Sequence, residues 1–149
     1  LANYDKFVRY RNLMKKDVEA VSSSATILWR ERKQDLSLYG VKCGHCGQMQ
    51  YPMNRVCLKC GKRDKIEEVK MARKGKVFTF TLDYLVSGPE VPIPRTIIDL
   101  ADGARIFLQM TDCKPEEVGI DTPVELTFRK MHEGGGFKNY YWKSRPIIG

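Results

Sequence analysis

Histidine is nearly absent from this 149-residue chain: His45 and His132 are the only two. A nucleophile activated by a His base therefore finds little support. No apolar run approaches the roughly 18–20 residues needed to cross a bilayer. The start lacks the apolar h-region of a secretory signal. Gly134-Gly135-Gly136 is not followed by the Lys-Ser/Thr pair of a phosphate-binding loop. Internal repeats and low-complexity tracts are missing. The length excludes a catalytic fold of several hundred residues such as a (β/α)8 barrel. A cytoplasmic protein without membrane contact is the expectation.

Hydrophobic residues make up 42% of the chain and charged residues 30%, a globular composition that fits one domain or two small ones. The net charge of +8 is one-sided. Residues 1–75 hold 17 Lys and Arg against 8 Asp and Glu, whereas residues 76–149 hold 9 against 10. Such a field suits a polyanionic partner, and it also describes a well-solvated surface. The first residue is Leu1, so the sequence is expected to begin inside a longer translated chain.

Near the start, Phe7, Tyr10, Met14 and Val18 recur at spacings of three, four and four. That period places them on one stripe of a helix over Asn3 to Val21, a stripe that needs a surface to cover. Ser22-Ser23-Ser24 breaks the pattern and supplies capping hydroxyls. Trp29 follows, flanked by Arg30 and Arg32. It reads either as a residue packing this helical segment onto the rest or as a platform for stacking and phosphate clamping. Phe7, Tyr10, Met14, Val18 and Trp29 are the candidate partner-docking residues.

Cys43-Gly44-His45-Cys46, then ten residues, then Cys57-Leu58-Lys59-Cys60 carry the strongest chemistry. Each Cys-x-x-Cys knuckle turns two thiolates onto one metal ion, and two knuckles complete a tetrahedral zinc site. Gly44, Gly47 and Gly61 stand where the knuckle turns need room. Two disulfides are the alternative, disfavoured because thiols stay reduced in the cytosol. A four-thiolate site has no open position for water or substrate, so its zinc is structural. With four cysteines present, His45 reads as an exposed turn residue rather than a ligand. Cys113 lacks a base beside it and reads as a small buried hydrophobe.

Behind the knuckles, Lys62 to Lys74 is charged and turn-like and reads as a linker. The period then changes to two. Phe78, Phe80 and Leu82 share one face, read as core. Gly88 to Pro94 is expected to be a long extended loop, because its prolines lack ladder donors. Thr96 to Leu100, Arg105 to Met110, Val124 to Lys130 and Lys138 to Ser144 read as further strands. A short helical turn is expected at Asp112 to Glu117. Five short strands in this space predict a small OB-type barrel. The expected architecture is mainly β with an N-terminal helix: a helical docking segment (1–35), a rubredoxin-like four-Cys ribbon (36–74) and a five-stranded OB barrel (75–149).

The ordered set of parts resembles the acyl-CoA-associated OB-fold/zinc-ribbon family found beside thiolases and hydroxymethylglutaryl-CoA synthase-like proteins. Trp29–Arg32 fits the approach to the ribbon, while Tyr39–Gly47 and Tyr51–Cys60 fit the two knuckles. Gly75–Thr81 fits the first barrel strand and Val118–Glu125 the turn before the fourth. Phe137–Pro146 and Tyr10–Met14 are similar to the ends of domains fused behind synthase-like enzymes. The resemblance implies a subunit without catalytic residues of its own, docked on a thiolase-superfamily chain in two copies of each. It also implies that the barrel helps form an acyl-CoA channel. By position alone, Arg30, Lys42 and Arg95 are the candidates for CoA contact. The other reading is a single-stranded nucleic-acid module, which a ribbon, an OB barrel and basic charge all permit. The near-neutral barrel half weighs against it.

Overall fold

Strand-period patterning governs the chain from Tyr39 onward, and among the described residues one helix precedes it. The computed structural model describes residues 25–85, 91–134 and 137–147. The expected helix over Asn3 to Val21, with Phe7, Tyr10, Met14 and Val18, lies outside these residues.

Helix α1 spans Ala25–Asp35, with Arg32 and Lys33 in its last turn, where they complement the carbonyl end. The Arg32 carbonyl accepts from Leu36 N at 2.9 Å and Ser37 N at 3.3 Å. Leu38 then turns the chain with a left-handed φ of 55°. Its side chain is fully buried, and that burial holds an otherwise unfavourable backbone.

The ribbon is a three-stranded antiparallel sheet in the order β2-β1-β3, made of β1 (Tyr39–Cys43), β2 (Met49–Gln50) and β3 (Ile66–Lys70). The strand β3 corrects the reading of Lys62 to Lys74 as a linker. Ile66 to Lys70 pairs with β1 along all five residues, from Cys43↔Ile66 to Tyr39↔Lys70. Its charged side chains were misleading because an edge strand of a small sheet tolerates them on its wet face.

The barrel is a five-stranded sheet in the order β6-β5-β4-β7-β8. Its strands are β4 (Lys74–Asp83), β5 (Ile93–Leu100), β6 (Arg105–Gln109), β7 (Pro123–Gly134) and β8 (Phe137–Pro146). A parallel bridge between Met110 and Ser144 brings the two ends together, so the sheet is nearly closed. Strand β5 alternates strictly, with Pro94, Thr96, Ile98 and Leu100 inward. Val77, Ile106, Leu108, Val124, Leu126 and Trp142 fill the interior with them, and Leu38 and Met71 join from the ribbon side.

Two further expectations change. Pro94 belongs to β5 rather than to a loop. The β5–β6 ladder stops at Arg95↔Gln109, so the missing donor falls at its end, and the Pro94 carbonyl still accepts from Met110 N at 2.8 Å. Phe78 does not share a core face with Phe80. The register of β4 against β5 shifts between Val77 and Thr79. This bulge turns Val77 inward and leaves Phe78 half exposed, while Phe80 packs partly against the core. The turn at Asp112 to Glu117 is a single 3-10 turn, Pro115–Glu117.

Candidate metal centre and the ribbon–barrel junction

The two knuckles fold alike. Gly47 N donates to the Cys43 carbonyl at 2.8 Å, and Gly61 N to the Cys57 carbonyl at 2.8 Å. Cys43 N and Cys57 N return the bonds to the carbonyls of Gln48 (3.0 Å) and Lys62 (2.9 Å). Gly47 and Gly61 close the turns at φ near 72° and 71°, which glycine adopts without steric cost. Buried Gln50 braces the second knuckle. Its side-chain oxygen accepts from Leu58 N at 2.6 Å and its amide donates to the Val56 carbonyl at 3.3 Å.

The result gathers the sulfurs of Cys43, Cys46, Cys57 and Cys60 within 4.8 Å of one another. Two of their separations are 3.7 Å (Cys43 to Cys60) and 3.5 Å (Cys46 to Cys57). A tetrahedron with zinc–sulfur arms of about 2.3 Å has edges of about 3.8 Å, so the donor set fits a four-thiolate ion. Electrostatics agree. Backbone N–H groups of Cys46 and His45 pull the Cys43 thiol below its ordinary value. Cys57, facing the Cys60 amide, falls to about 6. Cys60 meets the Lys62 amide, which lowers it, yet burial and the other three sulfurs carry it up to about 11. Four thiolates in this space require a cation between them.

His45 lies outside the cluster, with Nε2 3.0 Å from the Asp64 carboxylate. Cys113 is partly buried against the core, and burial, then Glu117 and Asp112, raise its thiol. The side chain of His132 is outside the described set. Trp29 is 66% exposed on α1, with the Arg32 guanidinium 5.7 Å from its ring. The three basic candidates sit on separate elements: Arg30 exposed on α1, Lys42 exposed on β1, and Arg95 on β5. Arg95 donates from Nε to the Asp83 carboxylate at 2.6 Å.

One joint escaped sequence reasoning. Tyr51, beyond β2, and Tyr141, on β8, share a hydroxyl–hydroxyl hydrogen bond of 2.7 Å that ties ribbon to barrel. Ninety positions separate them, and although each falls in a segment that carries the family resemblance, nothing in either segment signals a pairing with the other. Gln34 of α1 adds a tie by accepting from Met53 N at 2.8 Å, and Asp102 accepts from Ala72 N at 2.6 Å.

A four-cysteine ribbon joined to a nearly closed five-stranded barrel defines a protein class, and comparison with known proteins gives it a family. Residues 68–129 match the family described as ChsH2, C-terminal OB-fold domain. A DUF35 domain-containing scaffold protein of Methanocaldococcus jannaschii is 39% identical over 124 residues, covering 80% of this chain and 88% of the relative. The chain belongs to the DUF35 family. The benzoylsuccinyl-CoA thiolase subunit BbsA of Thauera aromatica is 33% identical over 91 residues, 60% of this chain and 62% of that subunit. Among solved structures, a chain of the Ltp2-ChsH2(DUF35) aldolase superposes with a TM-score of 0.62 at 20% identity. It covers 87% of this chain and 98% of that one, a likeness of fold.

Proposed function

We propose that this chain is a non-catalytic scaffold subunit of an acyl-CoA-processing complex whose catalytic chain belongs to the thiolase superfamily. The observation that carries the reading is the match to BbsA, whose name makes it a subunit of a CoA-thioester thiolase. The scaffold relatives, alike over most of their length, support it. So does the chemistry of the donor set: four thiolates hold a metal ion closed, with no position for substrate. In this reading zinc sits on Cys43, Cys46, Cys57 and Cys60 and stabilises the ribbon. Residues 1–35 and Trp29 help dock the chain, residues 36–74 form the ribbon, and residues 75–149 form the barrel that shapes the acyl-CoA channel. Arg30, Lys42 and Arg95 are the proposed cationic contacts for CoA phosphates, and each complex holds two copies of each chain.

Native mass spectrometry of the untagged protein from its source cells tests this. A species containing a thiolase-sized second chain is expected, with a mass increment of one zinc per copy. A bare chain of 17.2 kDa that binds single-stranded DNA or RNA with a steep salt dependence overturns it in favour of nucleic-acid binding.

A further inference from the structure

Three clefts on the barrel share lining residues, and two of them reach the ribbon. The first, about 440 Å³, is lined by Ile97 and Phe107 of the barrel and by Tyr51 of the ribbon. The second, about 570 Å³, shares Tyr51 and Arg105 with the first and adds Leu58 and Lys59. The third, about 660 Å³, shares Asp99 with the second and is lined by Lys74, Lys76, Phe78 and Ile120. Joined at these shared residues, the clefts make a trough along β4, β5 and β6, bounded by the ribbon at one side and the Ile120–Asp121 turn at the other.

Its lining is unusual for a surface left in water. Leu58 is 79% exposed, Ile120 65%, Phe107 57% and Phe78 48%. Contiguous apolar surface of this kind marks an interaction site. Arg105 lies along the Phe78 ring, 3.6 Å from its centroid, and is held there by Asp99 at 2.5 and 2.8 Å. Lys59, Lys74 and Lys76 are exposed, and none of the ion pairs found among the described residues involves them. Asp121 is the one acidic lining group not already paired with Arg105.

We propose that this trough docks an extended segment of a partner protein that alternates apolar and acidic side chains. Shape selects a polypeptide over a small molecule. A small-ligand site encloses roughly 70–90% of its ligand, whereas these walls are open enough to leave Leu58, Ile120 and Phe107 mostly in water. Charge selects against the chain's own first 24 residues, which carry five Lys and Arg against three Asp and Glu. Charge also disfavours a second copy meeting the same basic face. The inference rests on the scaffold reading, in which the partner is the catalytic chain.

The photo-crosslinking residue p-benzoylphenylalanine, placed at position 107 or at position 29 of the full chain in its source cells, tests it. Position 107 should cross-link to the thiolase-sized chain. Lys74→Glu combined with Lys76→Glu, both exposed and outside the metal knuckles, should lower that yield at least tenfold. A yield unmoved by this charge reversal overturns the acidic occupant. Cross-linking from position 29 alone leaves the scaffold reading standing and overturns the trough, whereas no partner adduct from either position sinks both. An adduct from position 107 to residues 1–24, or to a second copy, overturns the proposal as well. So does loss of the adduct when acetyl-CoA is added to a lysate of those cells while the two chains stay assembled, because the trough is then taken by a small anion.

Discussion

Gly75 stands where β4 is paired on both sides, opposite Leu100 of β5 and Val124 of β7. A Cβ there would lie 2.3 Å from the Asp99 carbonyl oxygen and 2.9 Å from the Ile98 Cγ2. Backbone cannot yield as a flexible side chain can. Gly75→Ala should therefore destabilise the barrel by about 1–3 kcal/mol, the usual cost of overpacking. In thermal unfolding this corresponds to a loss on the order of 2–4 °C per kcal/mol for a chain of this size. Arg95 makes a prediction with a pH signature. Its guanidinium, and then the Leu85 amide, hold Asp83 below the usual carboxylate range. A carboxyl with a lower pKa folded than unfolded contributes stability above about pH 4, and the contribution is lost as pH falls through the folded value. The stability gap between wild type and Arg95→Gln, from urea midpoints, should be constant near neutrality, narrow below about pH 4 and close as pH falls through the folded value of Asp83. A gap that does not narrow at all as pH falls below about 4 towards acid unfolding would show that the pair is not its source. Residue by residue, the four cysteines were legible because spacing alone dictates knuckle geometry. Phe78 was not, because a bulge is a tertiary decision that leaves no mark on an alternating pattern.

At the level of elements, the barrel strands were readable from their period of two, and β5 shows why. Four inward positions among the eight residues of β5, Pro94, Thr96, Ile98 and Leu100, fill the interior. Strand β3 was unreadable because its apolar content is low and its pairing with β1 supplies what its side chains do not. The joint between ribbon and barrel was equally hidden. Tyr51 and Tyr141 are more than half buried, and burial raises both phenols, so neither ionises near neutrality. Removing one hydroxyl strands the other. Tyr51→Phe and Tyr141→Phe should each cost about 0.5–1.5 kcal/mol, and the double variant less than their sum. A cycle that is strictly additive would mean that the two hydroxyls do not work as a pair.

Across the whole molecule, the metal centre, the joint and the trough form one mechanical chain. Tyr51, Leu58 and Lys59 line the ribbon side of the trough, and the Leu58 amide is held by Gln50 as part of the second knuckle. The barrel residues Phe78, Arg105 and Phe107 stand on strands whose core lies mostly among β4 to β8. Loss of metal should therefore act on one wall and spare the other. Cys60→Ser, or chelation of the wild type, should speed amide exchange from Tyr39 to Lys70 by orders of magnitude, since metal ligation supplies folding free energy of about 10–16 kcal/mol in zinc-finger peptides. Exchange at Ile98, Leu108 and Val124 should stay slow. With one wall of the docking surface loosened, partner assembly should weaken in native mass spectra even though the barrel remains folded. The order of events is the informative part: metal release should precede partner release as chelator is added. A metal-free variant that assembles fully would detach the ribbon from assembly and leave docking to the barrel and residues 1–35.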